Sequence, residues 1–200
     1  MELDQEFLER NGVKLYYWTG GKANTPLVVF THGATIDHHE WDATLPVVGE
    51  HFRILAWDVR GHGLSRPATF VLQEAVDDLL AILDRLQVSQ AIFVGHSMGG
   101  NLHQELVFQH PERVKAMAFL DCTWNFQQLT RLETFSLSIA EPIFKLYSYK
   151  KLVDQSLAVT ATSKTSQEFL RRAMGSLSKD EFIQIMIRSE EHTSELQSRV

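Results

Sequence analysis

The chain has 200 residues, 44% of them hydrophobic and 22% charged, the balance of a packed globular protein rather than a disordered one, and room for one sizeable domain. A formal net charge of −6 argues against a polyanion-binding face, so no nucleic-acid partner is expected. Cys122 is the single cysteine, which rules out an internal disulfide. With no apolar leader and no run near about 18 apolar residues, a soluble cytoplasmic protein without a membrane span is expected.

The elements alternate along the first part of the chain. Residues 13–18 (VKLYYW) follow an Asn11-Gly12 turn signal and read as the second strand of a hairpin. Residues 27–31 (LVVFT) form a short continuous apolar run, the pattern of a strand covered on both faces; 53–57 (RILAW), 91–94 (AIFV) and 114–120 (VKAMAFL) repeat it. Between them, 70–86 carries Leu72, Ala75, Val76, Leu79, Leu83 and Leu86 at helical spacing, with Thr69 as its expected N-cap. A second helix is expected over 98–109, stopped by His110-Pro111. Buried parallel strands joined by helices imply a three-layer α/β fold with a mostly parallel sheet.

The texture changes at Trp124. Residues 124–187 contain no clear strand and several helical runs, and read as a helical cap. Thr165 with Glu168 and Ser178 with Glu181 match the capping-box pattern, and Glu141-Pro142 suits a helix start with proline at its first position. No internal repeat is visible. Residues 188–198 (RSEEHTSELQS) break the amphipathic pattern and are similar to an in-frame translation of sequencing-adapter DNA. Residues 188–200 therefore read as a non-native tail, and His192 is not taken as a catalytic base.

The chemistry concentrates at Gly95-His96-Ser97-Met98-Gly99-Gly100, between the AIFV strand and the next helix. A sharp strand-to-helix turn brings backbone close on every side of the serine, so the flanking positions need glycine, here Gly95 and Gly99. The turn lifts the Ser97 hydroxyl above the sheet, at the positive end of the helix.

With this block, the chain resembles the α/β-hydrolase superfamily, of the serine esterase and lipase kind. Two further blocks carry the resemblance in the same order: His32-Gly33-Ala34 after the LVVFT strand, and Asp58-Val59-Arg60-Gly61-His62-Gly63-Leu64-Ser65 after the RILAW strand. Together they span roughly residues 10–123, the expected core portion 1–123. The resemblance implies that Ser97 is the nucleophile and that the backbone N–H groups of Ala34 and Met98 form the oxyanion hole. It assigns supporting motif positions to His32, Gly33, Gly95, His96 and Gly99, and requires no cofactor.

The resemblance also implies a catalytic acid and then a histidine after Ser97. Asp121 stands where some members carry the acid, though a structural role is preferred for it. Asp154 and Asp180, in the cap, are given no chemistry. The histidines after Ser97 are His103, His110 and His192, and none suits the base, because His103 points away from Ser97 by the helical period and His110 lies at the helix end. The last core strands, with acid and histidine, are therefore expected to be missing, leaving this chain truncated and weakly active or inactive. A missing neighbour would also leave VKAMAFL as an unprotected, aggregation-prone edge.

The expected function is hydrolysis of carboxylic esters or similar acyl compounds, with a small-molecule acyl substrate as partner and the oligomeric state left open. The alternatives are a non-catalytic ligand-binding member of the fold, a C–C bond hydrolase, or a cofactor-free peroxidase. An epoxide hydrolase or dehalogenase is disfavoured, since those carry aspartate where this chain has Ser97. His32, Asp58, Arg60 and His62 are expected to brace turns, and Trp41 to serve as core or pocket wall. Asp37, His38, His39 and Asp42 are expected to form a solvated loop rather than a metal site. Cys122 is expected to be a small buried side chain.

Overall fold

The computed structural model describes residues 1–123, 130–161 and 163–195. The chain divides into two compact units, Met1–Thr123 and Trp124–Val200. The expected core–cap boundary abuts residues 124–129, and the end of the expected tail is residues 196–200; both stretches lie outside the described residues.

In the first unit, β1 (Asp4–Arg10) and β2 (Val13–Gly21) form an antiparallel hairpin. Asn11 and Gly12 turn it with φ of 49° and 77°, the left-handed pair that matches a two-residue loop to the strand twist. Strands β3 (Leu27–Thr31), β4 (Arg53–Trp57), β5 (Ala91–His96) and β6 (Val114–Leu120) complete a six-stranded mixed sheet in the order β1-β2-β4-β3-β5-β6. The pairs β3–β4, β3–β5 and β5–β6 are parallel, and β2 meets β4 antiparallel.

Strand periodicity sorts the core into two faces. Leu27, Val29, Leu55, Trp57 and Phe93 pack against α2 (Leu72–Arg85) and α3 (Met98–Gln109). Their neighbours Val28, Phe30, Ile54 and Ala56 pack on the other side against Trp41 and Leu45. Those two come from a 3-10 turn at His38–Trp41 and from α1 (Leu45–Gly49). Side chains alternate across a strand, so continuous apolar runs such as LVVFT feed both layers, and all five residues of β3 are buried.

Helix α2 begins later than its sequence suggests. Its N-cap is Val71, extended at φ −138° and ψ 121°, and not the exposed Thr69. Phe70 is buried edge-on against His62, and the turn at Gly61 lies against the backbone of Ala68 and Phe70. Inserting Phe70 keeps the chain extended through 71. Helix α3 covers the expected residues and stops at His110.

The second unit holds α4 (Arg131–Leu146), α5 (Tyr149–Thr160), α6 (Lys164–Gly175) and α7 (Lys179–Glu195). Pro142 lies inside α4 rather than at a helix start; apolar positions 135, 139, 143 and 146 keep helical spacing on both sides of it. The cap of α6 is Ser163, whose hydroxyl accepts the Ser166 N–H at 3.1 Å, so Thr165 is already inside the helix and forms no capping box. At α7 the expected box is present: the Glu181 carboxylate accepts the Ser178 N–H at 2.7 Å and the Ser178 hydroxyl accepts the Glu181 N–H at 3.2 Å. Helix α7 runs past residue 188 to Glu195, because a polar segment free of glycine and proline can stay helical without an apolar stripe. Among the described residues no helix is long and apolar enough to cross a membrane.

Candidate active site

Strand β5 ends at His96 and α3 starts at Met98, leaving Ser97 alone in the turn with φ 48° and ψ −117°. L-residues rarely adopt such a backbone, and holding one there costs about 1–3 kcal/mol. The surroundings over-determine it. The Ser97 N–H donates to the Leu120 carbonyl at 3.0 Å, tying the turn to the end of β6, and the Asn101 N–H donates to the Ser97 carbonyl at 3.1 Å, opening α3. A Cβ at Gly95 would lie 2.6 Å from backbone atoms of Gly99 and Gly100, and one at Gly99 would overlap the Thr31 carbonyl and lie 2.8 Å from that of His32. Glycine is required at both positions by close approach of backbone, which cannot move aside.

The same approach fixes the relation of the turn to the loop after β3. The carbonyls of Thr31 and His32 touch the first turn of α3, so Ala34 follows two residues from a backbone contact with the serine turn. Thr35 then takes φ 63°, bending the chain toward the 3-10 turn. His32 is fully buried with both ring nitrogens engaged: Nε2 accepts the Val59 N–H at 3.0 Å, and Nδ1 lies 2.7 Å from the Gly33 carbonyl. That arrangement ties the ring to its own loop and to the start of the Asp58 turn, so His32 braces the two loops.

Behind this loop lies a buried polar frame. One Asp58 oxygen accepts the His38 backbone N–H at 2.9 Å and meets its Nδ1 at 2.8 Å; the other accepts the Leu64 N–H at 2.7 Å. Burial pushes the Asp58 carboxyl up, and the bond and charge of His38, the charge of His32 and the Leu64 amide outweigh it, leaving the group below its ordinary value. Trp18 stacks on His38 with ring centroids 3.4 Å apart. Arg60 pairs with Asp78 through Nε at 2.6 Å and also contacts Glu74. His38 is therefore buried, contrary to the solvated loop expected for 37–42, because Asp58 gives its ring and amide an interior partner. Asp37, His38 and His39 bring one ligand atom each within 4.8 Å of one another. Each of these side chains has a protein partner: Asp37 caps the His39 N–H, His38 holds Asp58, and His39 Nδ1 meets Asp42 at 2.9 Å.

Comparison with known proteins bears on this geometry. The family model described as "alpha/beta hydrolase fold" matches residues 26–170. The chain belongs to the α/β hydrolase fold family. A bifunctional esterase/perhydrolase of Acinetobacter calcoaceticus is 34% identical over 114 residues, 56% of this chain and 41% of the relative. Bifunctional epoxide hydrolase 2 of Sus scrofa is 28% identical over 171 residues, 82% of this chain and 30% of the relative. The match thus spans well under half the length of either curated relative. Among solved structures, a hydrolase from Pseudomonas aeruginosa superposes with a TM-score of 0.80 at 24% identity, covering 94% of this chain and 73% of that one, a likeness of fold.

As a member of the α/β hydrolase fold family, the chain has its serine turn and β3 loop together, and no described residue hydrogen-bonds the Ser97 side chain. His103 is fully buried, its Nε2 2.8 Å from the Thr31 hydroxyl, which also accepts the Trp57 indole N–H at 2.8 Å. Burial drives the His103 pKa down to about 3. His110 caps the far end of α3, and His192 falls on α7. Asp121 is exposed at φ 45°, directly after the β6 residue that anchors Ser97. Cys122 is only partly buried, against Gly100, because β6 has no further strand beside it among the described residues. Trp41 is core, its ring tilted against that of Phe30.

One site residue has no signature in sequence. Glu40 accepts the Gly33 N–H at 3.1 Å through Oε2, and its Oε1 lies 2.6 Å from His96 Nδ1, close but not aligned as a regular hydrogen bond. A carboxylate 56 positions from its partner leaves no local pattern; only the tertiary approach of loop and turn reveals it.

Proposed function

We propose that the chain carries the nucleophile and oxyanion hole of a serine hydrolase acting on carboxylic esters or similar acyl compounds. Ser97 Oγ attacks the acyl carbon as its proton passes to a base, and the carbonyl oxygen becomes an oxyanion held by the N–H groups of Ala34 and Met98. Collapse breaks the ester C–O bond, and the departing alkoxide takes that proton to leave as the alcohol. Water then hydrolyses the acyl-serine to free the acid and restore Ser97. Each such donor is worth about 3 kcal/mol in related chemistry. The observation that carries the reading is the strained Ser97 backbone, held between β5 and α3 with the β3 loop against it. Strain of this kind persists where the surrounding structure over-determines it, and it clusters at active sites. The esterase named among the relatives supports the acyl chemistry, and the serine at 97 weighs against the aspartate-dependent epoxide route.

Among the described residues no histidine is placed to serve Ser97 as a base, since His103 is sealed against Thr31 and His110 caps the far end of α3, so weak or no turnover is the expectation for this chain. Loss of the base costs on the order of 10⁶-fold in a comparable triad. The test is treatment with a fluorophosphonate, with and without added imidazole as an external base. Slow stoichiometric phosphonylation, faster with imidazole and absent in Ser97→Ala, is expected. A chain that gains no adduct under either condition, or whose Ser97→Ala variant is labelled equally, contradicts the reading and favours a non-catalytic, ligand-binding member of the family.

A further inference from the structure

We infer that Glu40 is a positioning residue, one oxygen pinning the Gly33 amide and the other pairing with His96, so that the loop carrying Ala34 is fixed against the turn carrying Ser97. The inference rests on the Ser97 and Ala34 roles proposed above. Three observations support it. First, Glu40 is itself held: its neighbour Trp41 is buried in the core, and His38 is locked onto Asp58. Its carboxylate therefore does not wander as a surface glutamate does. Second, its two oxygens reach the two sides of the site, Gly33 on the loop and His96 beside the nucleophile. Third, loop and ring are in close contact, since a Cβ at Gly33 would lie 2.8 Å from His96 Nδ1. Removing the carboxylate leaves the Gly33 N–H and the His96 ring without the group that ties them.

The charged groups acting on His96 are Glu40, from the 3-10 turn, and Asp121, from the end of β6. The Glu40 contact raises the His96 pKa first; burial opposes it, and the charges of Glu40 and Asp121 add to the rise. Below its midpoint His96 is a cation paired with Glu40; above it only the neutral contact remains. A carboxylate in this place therefore matters most at lower pH.

The experiment measures Ser97 phosphonylation rates for the wild type, Glu40→Gln and Glu40→Ala with added imidazole, while the His96 Cε1–H resonance is titrated by NMR. Gln keeps the acceptor for the Gly33 N–H and loses the charge; Ala loses both. Glu40→Ala is expected to slow labelling about tenfold to a hundredfold, the scale of a slightly misplaced catalytic group. Glu40→Gln should fall between, lower the His96 midpoint, and approach the wild-type rate as pH rises past that midpoint. This pH-dependent ratio is a readout that a purely structural role does not give. If Glu40→Ala does not fold, the ratio for Glu40→Gln decides. Equal rates at every pH with Ser97 still labelled overturn the positioning role and leave the serine reading intact. A wild type that takes no label overturns both.

Discussion

At the scale of single residues, the site is defined by what cannot be substituted. A methyl group at Gly99 meets the carbonyls of Thr31 and His32, so Gly99→Ala should cost about 1–3 kcal/mol, the penalty of overpacking, and separate the β3 loop from Ser97. A urea midpoint equal to wild type would contradict this. The buried histidines set the acid response. Burial takes His62 and His103 from 6.5 down to about 3, with the His32 charge assisting at His62. Unfolded, each binds a proton below about 6.5, and folded, neither does until about 3. Stability should therefore fall as pH drops through that window, by about 1.4 kcal/mol per pH unit for each histidine. His96 acts in the opposite sense: its raised value favours the fold below its unfolded pKa, and that gain is lost as pH rises through the folded value. A urea midpoint lower at about pH 5 than at about pH 7.5 is expected; an unchanged or higher midpoint at the acid end would contradict the sealed, neutral state of His62 and His103.

At the scale of elements, helix caps separate local signal from tertiary override. Ser163 and Ser178 accept helix amides, whereas Thr165 is inside α6. Replacing Ser163 or Ser178 with Ala should cost about 1 kcal/mol, and Thr165→Ala far less, by thermal unfolding. The reverse order would contradict the assignment. The same contrast explains what was legible in the sequence. The LVVFT run, the Asn11-Gly12 hairpin, the 98–109 helix and the glycine-flanked turn are written in neighbouring residues, so pattern alone locates them. The start of α2 is displaced because Phe70 answers to His62, and His38 is drawn inside by Asp58. Glu40 meets His96 across 56 positions. Each of these depends on a partner far along the chain, which periodicity does not record.

At the scale of the whole molecule, the sheet has an open side. Among the described residues strand β6 pairs only with β5, and Phe119 and Leu120 are 40% and 43% exposed. An apolar strand with a free row of amides and carbonyls invites edge-to-edge pairing. Light scattering of the 200-residue chain should show concentration-dependent association, reduced by Phe119→Lys. A monodisperse monomer at all concentrations would contradict this. The opposite side of the sheet is closed differently, by the β1–β2 hairpin, whose charged Asp4, Glu6, Glu9 and Lys14 discourage further pairing. The serine turn sits between β5 and β6 chemistry, since its amide is bound by Leu120; the edge strand thus supports the nucleophile as well as bounding the sheet.

If amide dipoles converge on the side chain of residue 97, a thiol placed there ionises easily, and that needs no catalytic base to observe. In a Ser97→Cys variant, the pH dependence of alkylation at residue 97 is measured by peptide mapping, with the native Cys122 as internal reference. Burial raises the Cys122 thiol, so it should react only at higher pH, while the thiol at 97 should titrate below about 8.5, as thiols at helix N-termini do. A midpoint for residue 97 at or above that of Cys122 would contradict the account.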